Sequence, residues 1–337
     1  MTKPLVSILV PAYNAEEWIA DSLKSAVAQT WPNTEVIVVD DGSKDRTLEV
    51  ARRFASDRVK VISQKNAGAA AARNAAFAAS SGDYIQWLDA DDLLAPDKVE
   101  QQMRIAEQYP GKRTLLSSGW GRFLYRRSRA NFVPTLLWAD LSQAEWLIRK
   151  MENNLHMQTA TWLVTRELTE AAGPWNTKLL GDDDGEYFCR VLMQSDGVRF
   201  APESKVFYRM AGPSSLSYIA SSDKKKDAQL HSMRLHIGYL RSLEDTPRSR
   251  AACVQYLQNW LVNFHPERPD LVQQMQQLAV ELGGHLEVPE LSWKYRWIQA
   301  LVGGIGAKRA QVRLRQLKWS VVRFWDKTLF RMENLTA

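Results

Sequence analysis

Residues 6–47 read VSILVPAYNAEEWIADSLKSAVAQTWPNTEVIVVDDGSKDRT, and two short apolar runs within them flank a segment with a helical pattern. The runs, at 6–10 and 36–39, are rich in β-branched residues and have the length of buried strands. Between them, Asn14 and Glu17 have the spacing of a helix capping box. This order predicts the strand–helix–strand unit from which parallel sheets are built.

The alternation of strand and helix patterns continues to residue 108. It predicts strands at 59–62 and 84–88, and helices at 48–54, 67–79 and 96–108. In open sheets of this kind, ligands bind beyond the carboxyl ends of the strands. The polar residues that follow each strand are therefore the first candidates for a functional site.

The remainder of the chain divides into two parts. The pattern is mixed from about residue 111 to 220 and helical from about 222 onward, and Ser-rich sequence near 220 marks a soft boundary between them. We therefore predict an α/β catalytic domain at residues 1–220 and a helical, basic region at residues 221–337.

The composition indicates an ordinary folded protein in a reducing compartment. Of the 337 residues, 45% are hydrophobic and 24% are charged, which excludes a disordered or fibrous chain. Cys189 and Cys253 are the only cysteines, too few for a disulfide framework. The sequence has no uninterrupted run of about 18 apolar residues, so it does not predict a membrane span. Pro11 interrupts the N-terminal apolar run, so this run does not resemble a signal peptide. We expect a cytoplasmic location.

Positive charge is concentrated in the tail, residues 291–337. The chain has a net charge of +6, whereas the tail has ten Lys or Arg and two acidic residues, which gives +8 and leaves −2 for the rest. Basic residues alternate there with aromatic ones, as in helices that lie on anionic membranes. This interpretation predicts peripheral attachment to the inner face of the membrane. A helical cap on the catalytic domain explains the pattern equally well, and nucleic-acid binding is weaker because no binding module accompanies the charge.

Three acidic clusters follow predicted strands or precede a predicted helix: Asp40 with Asp41, Asp89 with Asp91 and Asp92, and Asp182 to Asp184. A turn or a helix cap also explains the first and third clusters. In the second, three carboxylates within four residues repel one another unless a cation or solvent relieves them. A sugar nucleotide needs a group for its base, a cation for its diphosphate and a carboxylate to deprotonate the acceptor. The three clusters match these three tasks.

Residues 6–47, followed by NAGAAAARNAA at 66–76 and GDYIQWLDADD at 82–92, closely resemble the family 2 glycosyltransferases. The resemblance is dense over residues 4–105 and thinner to about 218. It implies a GT-A fold, a Rossmann-like α/β domain for nucleotide-diphospho-sugars. It also implies an inverting transfer of a sugar, most often from a UDP-sugar, to a saccharide or lipid-linked saccharide in cell-surface polysaccharide biosynthesis.

The resemblance implies a nucleotide site at the ends of the first strands. Its members are Pro11, Ala12, Tyr13, Asp40, Asp41, Arg73 and Asp89. The Tyr13 ring would lie against the base, and Asp41, with Asp40, would accept a hydrogen bond from it. Arg73 would reach the nucleotide, although on spacing alone a solvated helix face explains this residue equally well.

The resemblance also implies the metal and catalytic residues. Asp89 and Asp91 match the family's DxD pair, which holds the ribose and a Mg²⁺ or Mn²⁺ ion on the diphosphate, and Asp92 lies where a further carboxylate often approaches the metal. Alignment of DDGEYFCRV to the family's Glu-Asp pair makes Asp183 the counterpart of Glu and Asp184 the general base. A base opposite the leaving nucleotide permits direct displacement with inversion.

One departure from the family concerns the segment YRMAGPSSLS at 208–217. Family members often have YRxHxxSxS there, so Ala211 occupies the position of a metal-binding His. Either Ser214, Ser215 or a water replaces it, or the metal is held weakly, or the site is partly degenerate. The last case keeps a non-catalytic sugar-nucleotide-binding scaffold as an alternative. A nucleotidyltransferase is a weaker alternative, because PAYNAEEW is not a triphosphate-binding loop.

Overall fold

The computed structural model describes residues 3–110, 113–210 and 222–289, together with residues 306, 314, 317 and 319–333 of the tail. Within these residues, nine strands form one mixed sheet. They are β1 (Val6–Ala12), β2 (Thr34–Asp40), β3 (Val59–Ser63), β4 (Tyr84–Trp87), β5 (Leu93–Leu94), β6 (Leu115–Phe123), β7 (Asn131–Phe132), β8 (Leu163–Thr165) and β9 (Val198–Arg209). Their order is β3-β2-β1-β4-β8-β6-β9-β5, and β7 pairs with β6.

Besides the helical part of the tail, ten α-helices in the same described residues cover this sheet or extend from it. They are α1 (Ile19–Val27), α2 (Thr47–Arg52), α3 (Ala69–Ala78), α4 (Lys98–Ala106), α5 (Gln143–Glu152), α6 (Arg166–Ala172), α7 (Asp183–Gln194), α8 (Asp223–Leu243), α9 (Pro247–Phe264) and α10 (Pro269–Glu281). The strands and helices predicted before residue 108 are all present, with shifted ends. The expected α/β fold is thereby confirmed.

The parallel half of the sheet consists of β3, β2, β1 and β4. Nearly every residue of β1 is buried, as expected for a central parallel strand covered by helices on both faces. Because these strands are parallel, their carboxyl ends lie at one edge, where Ala12 pairs with Asp40. Next to β4 the direction reverses, since β8 is antiparallel to it. The polar loops after β1, β2 and β4 therefore share one edge of the sheet.

The start of the first helix differs from the sequence prediction. Asn14 does not cap α1, which begins at Ile19 after Trp18. Instead Asn14 has a left-handed backbone, with φ of 49°, and its Oδ1 accepts a hydrogen bond from the Lys44 backbone N–H at 2.8 Å. An Asn side chain tolerates this conformation and bonds readily to nearby backbone. Asn14 therefore joins the loop after β1 to the loop after β2.

The C-terminal helices α8 to α10 pack against the α/β part. α8 contacts α7, and α9 contacts α5. Buried side chains such as Leu230, Met233, Leu257 and Met275 belong to the same hydrophobic core as those of β1 and β2. The division at residue 220 stays a prediction, and the core itself is continuous across it.

The described part of the tail is helical from residue 319 to 333. Among the described residues, no helix combines the length and apolar character needed to cross a bilayer.

Candidate active site

Asp41 holds the loop that connects β3 to α3. Its Oδ1 accepts hydrogen bonds from Gln64 Nε2 at 2.7 Å and from the Ala67 N–H at 2.9 Å, and its Oδ2 accepts one from the Gly68 N–H at 2.8 Å. Gly42 follows with φ of 70°, and a Cβ at that position would lie 2.8 Å from the Asn66 nitrogen. Oδ1 of Asp41 therefore accepts two hydrogen bonds, whereas Oδ2 accepts one and can accept another.

Asp40 lies beside Asp41 but is much less occupied. Its Oδ2 is 3.4 Å from both the Ser43 nitrogen and Ser63 Oγ. Its Oδ1 is buried and has no hydrogen-bond donor among the described residues. A buried carboxylate oxygen without a donor is costly, so this atom is suited to accept a hydrogen bond from a ligand N–H.

The end of β1 supplies the remaining residues predicted for the base. Ala12 is buried and Pro11 is partly buried, whereas the Tyr13 ring is 47% exposed. Ala12 pairs with Asp40 at the end of β2, and Tyr13 is the next residue along the chain. An exposed aromatic ring can stack against a nucleobase.

Arg73 joins two of the acidic clusters. It is a buried residue of α3, and its Nη2 donates to Asp89 Oδ1 at 2.9 Å while its Nη1 donates to Asp183 Oδ2 at 2.8 Å. The guanidinium lies 4.4 Å from the centre of the Trp175 ring. The planar fork of arginine suits such a bridge. The solvated helix face considered for Arg73 is therefore wrong, because the residue links the loop after β4 to the start of α7.

The loop after β4 is fixed from below by Asp92. This side chain is fully buried, and its two oxygens accept hydrogen bonds from the Arg209 N–H, at 2.8 Å, and from Gln158 Nε2. Burial, with Asp91 adding to it, raises the pKa of Asp92 well above its ordinary value. Arg209 also donates from Nε to the Asp91 carbonyl at 2.8 Å. Asp92 thus positions the loop, and the metal-ligand role expected for it stays a prediction.

Asp89 and Asp91 are the partly exposed carboxylates of this loop. Burial, followed by the charge of Asp89, raises the pKa of Asp91 to about 6. A divalent cation would relieve both effects. Two carboxylates that leave room for phosphate oxygens and water fit the needs of Mg²⁺. Among the described residues no three ligating side chains converge to hold a metal by themselves, and Ala211 lies outside those residues.

Asp184, in the first turn of α7, has an unusual proton affinity. Burial, followed by the negative charge of Asp183, raises the pKa of Asp184 to about 7, although Arg73 opposes the shift. Its Oδ2 is 3.3 Å from Thr159 Oγ1, and its Oδ1 accepts a hydrogen bond from the Gly185 N–H at 2.9 Å. A carboxyl with a pKa near neutrality can exchange a proton under physiological conditions.

The position of α7 depends on α8, which the sequence did not indicate. Asp182, immediately before α7, has φ of 55°, and its Oδ2 accepts hydrogen bonds from Ser232 Oγ at 2.6 Å and Gln229 Nε2 at 3.3 Å. Glu186, one turn after Asp182, accepts a hydrogen bond from the Tyr239 hydroxyl of α8 at 2.9 Å. Helix α8 therefore holds the turn that carries Asp183 and Asp184.

The site also contains functional residues that sequence reasoning missed. Gln158 and Thr159 precede β8, and neither belongs to a recognisable pattern. Arg209 belongs to the segment YRMAGPSSLS, but nothing in the sequence indicates its contacts with the loop after β4. These residues support the acidic groups rather than extend them.

Residues 7–170 match the family described as glycosyl transferase family 2. EpsJ of Bacillus subtilis, named an uncharacterized glycosyltransferase, is 30% identical over 224 residues, which cover 64% of this chain and 64% of EpsJ. Several Rickettsia relatives are matched over only 19% to 36% of their length, so the chain spans less than two thirds of these curated relatives.

Two solved structures share the fold. Residues 1–349 of S. aureus TarS, in complex with UDP, match with a TM-score of 0.60 and 16% identity, covering 82% of this chain and 80% of that one. The mannosyltransferase PcManGT from Pyrobaculum calidifontis, in complex with GDP-Man and Mn²⁺, matches with a TM-score of 0.54 and 18% identity, covering 97% and 88%. The match to glycosyl transferase family 2 covers residues 7–170, just under half of this chain, and the structure has the GT-A fold.

Proposed function

We propose that the protein is an inverting glycosyltransferase that uses a nucleotide-diphosphate-sugar, with a UDP-sugar as the expected donor. The acceptor is a saccharide or a lipid-linked saccharide, and the product belongs to cell-surface polysaccharide. One observation carries the proposal: Arg73 bonds both Asp89, on the loop after β4, and Asp183, beside Asp184. Residues suited to a diphosphate and a carboxyl suited to proton transfer thus form one network.

The donor nucleotide would bind across the ends of β1 and β2. The Tyr13 ring stacks on the base, and Asp41, with Asp40, accepts a hydrogen bond from the ring N–H of the base. The unpaired Oδ1 of Asp40 supports this assignment. Among the relatives in fold, TarS was solved with UDP and PcManGT with GDP-Man.

The diphosphate would bind next to Asp89 and Asp91, with Mg²⁺ or Mn²⁺. When bound, the cation neutralises negative charge on the departing nucleotide. Asp89 and Asp91 would hold it, and Arg209 and Asp92 keep their loop in place. The raised pKa of Asp91 supports a cation here, because a nearby positive charge favours the ionised carboxylate.

Asp184 would act as the general base. It takes the proton of the acceptor hydroxyl while the oxygen attacks the anomeric carbon and the nucleotide diphosphate leaves from the opposite face. This single displacement inverts the configuration at that carbon. Asp183, bonded to Arg73, keeps α3 and α7 together around the reacting groups.

The alternative is a non-catalytic sugar-nucleotide-binding scaffold of the same fold. It is favoured by Ala211, which stands where many family members have His. Binding without turnover of any donor would distinguish it from the enzyme.

The first test is calorimetric binding of UDP, dTDP and GDP with and without Mn²⁺. We expect one nucleotide to bind in a Mn²⁺-dependent manner, and Asp91→Asn to weaken that binding by about tenfold or more, because a metal-bound carboxylate is lost. Asp196→Asn is the control. Asp196, just before β9, accepts a hydrogen bond from the Arg113 backbone N–H and is not among the residues assigned to the nucleotide or the metal. If none of the three nucleotides binds, the proposal is wrong.

Substitutions of Asp40 and Asp41 should have different effects, one mainly on nucleotide binding and the other on stability. Asp41→Asn turns an amide group toward the N–H groups of Ala67 and Gly68, so we expect it to lower the free energy of unfolding by about 1–3 kcal/mol. In Asp40→Asn no hydrogen bond to Oδ1 is lost, because no protein group donates to that atom among the described residues. The variant should therefore keep nearly the same stability and bind the nucleotide more weakly. Urea unfolding and calorimetry measure the two effects. Equal stability of the two variants would contradict this division.

A further inference from the structure

The helix at residues 319–333, called the tail helix below, binds the α/β part through one side only. Asp326 accepts hydrogen bonds from Arg126 Nε at 2.7 Å and from the Tyr125 N–H at 2.9 Å. Glu333 accepts one from Arg126 Nη1 at 3.0 Å. Lys327 donates to Glu17 at 2.7 Å and lies over the Tyr125 ring. These contacts fix the rotation of the helix about its axis.

The opposite side of the tail helix is apolar and exposed. Val321, Phe324 and Trp325 are 52%, 67% and 61% exposed, respectively, and they recur at the three- and four-residue spacing of one helix face. Exposed aromatic residues in a cluster mark an interaction surface. The tail helix is therefore amphipathic: its polar side contacts the α/β part, and its apolar side is exposed.

The charge around the apolar face is positive. The only acidic residues of the tail, Asp326 and Glu333, both bind Arg126 on the docked side. Arg331 is exposed on the helix, and Arg127 and Arg129 are exposed immediately beyond the docking point. The tail helix therefore combines exposed aromatic side chains with exposed cations on the helix and beside its docking point.

We propose that the tail helix is a membrane-docking surface for an anionic lipid bilayer. Aromatic side chains enter the boundary between headgroups and acyl chains, and Lys and Arg bind the phosphates. A second copy of the chain fits this face less well, because a two-fold dimer would bring two tails of net charge +8 together. The proposal does not depend on the donor or on turnover.

The docked position also places this surface near the candidate active site. Tyr125 packs on Trp18 with ring centres 5.2 Å apart, and Arg209 lies 4.3 Å from the centre of the Trp18 ring. Arg209 in turn bonds the loop that carries Asp91. The docked side of the tail helix is therefore connected through Tyr125, Trp18 and Arg209 to the loop assigned to the diphosphate.

Vesicle flotation of the full chain tests the proposal. We expect binding to phosphatidylcholine vesicles that contain phosphatidylglycerol, weaker binding to phosphatidylcholine alone, and weakening by salt. The double variant Phe324→Ser/Trp325→Ser should lower the partition coefficient about tenfold or more. Val262→Ser, at a 52% exposed position of α9, is the matched control and should bind like the parent.

Two further measurements keep the result decisive. Calorimetric nucleotide binding by the double variant should equal that of the parent, which shows an intact fold independently of vesicles. Asp326→Asn should retain vesicle binding, because the apolar face remains. Absence of vesicle binding by the parent, or equal binding by the double variant, overturns the proposal. A concentration-dependent dimer that the double variant abolishes, without affinity for vesicles, assigns the face to a second copy instead.

Discussion

Asp184→Asn should lower kcat by about 10³-fold, the usual scale for loss of a general base. The amide has nearly the same shape as the carboxylate and can still meet Thr159, but it cannot take the acceptor's proton. Donor binding should remain within about threefold of the parent, because the proposed base acts on the acceptor and not on the nucleotide. The value of kcat is measured from steady-state nucleotide release with an acceptor that the parent uses, and donor binding is measured by calorimetry of the nucleotide.

The pH dependence of the parent gives the same prediction a second readout. With the pKa of Asp184 at about 7, the ionised base becomes scarcer below neutrality. The value of kcat/KM should therefore fall about tenfold for each pH unit below 7 and level off above it. The residual activity of Asp184→Asn should lack this dependence.

The same substitution should stabilise the fold at alkaline pH. Since the pKa of Asp184 is raised by folding, the ionised carboxylate costs stability above pH 7, and this cost disappears as pH falls toward the ordinary pKa of aspartate. Asn carries no such cost. We expect a gain on the order of 2 kcal/mol at pH 8 that vanishes near pH 4.

The control for Asp184→Asn is Asp83→Asn. Asp83 accepts a hydrogen bond from the Leu5 N–H at 2.8 Å, at the opposite end of β4. Its loss should leave kcat and the pH profile unchanged. If Asp184→Asn kept more than about a tenth of the parent's kcat, Asp184 would not be the base.

The parallel half of the sheet could be predicted from sequence because its signals are local. β1, β2 and β4 contain short, mostly apolar runs, and acidic residues follow β2 and β4, so topology alone brings the loops after these two strands to one edge. Asn14 was misassigned because its partner, the Lys44 N–H, lies 30 residues away. A capping-box spacing does not reveal that competing contact.

The contacts that organise the candidate site are mostly long-range and could not be predicted. Arg73 and Asp183 are separated by 110 residues, and Asp182 and Ser232 by 50. The first turn of α7 was expected to act either as a helix terminus or as the site of the base. The helix-terminus description is correct, because α7 begins at Asp183, whereas the role of the base is not tested by the fold. The catalytic and binding roles themselves stay predictions.

Arg73→Met should impair both activity and stability. Asp89 and Asp183 would lose their shared cation, and because both are partly exposed, water can replace part of the lost interaction. We therefore expect the free energy of unfolding to fall by about 2 kcal/mol, less than the 3–5 kcal/mol typical of a fully buried pair. The value of kcat/KM should fall by at least about 10²-fold, since the loop after β4 and the start of α7 are no longer held together.

The pH profile distinguishes this role from simple structural support. Arg73 lowers the pKa of Asp184, so its removal should move the profile of kcat/KM to higher pH. Arg73→Lys restores the charge without the two-pronged bridge, and it should restore the profile while kcat stays low. Arg166→Met is the matched control: Arg166 bonds the Gly82 carbonyl at 2.7 Å and stacks on Phe77, near the start of β4. It should lose stability with an unchanged profile, and an unshifted profile in Arg73→Met would show that Arg73 acts only on the fold.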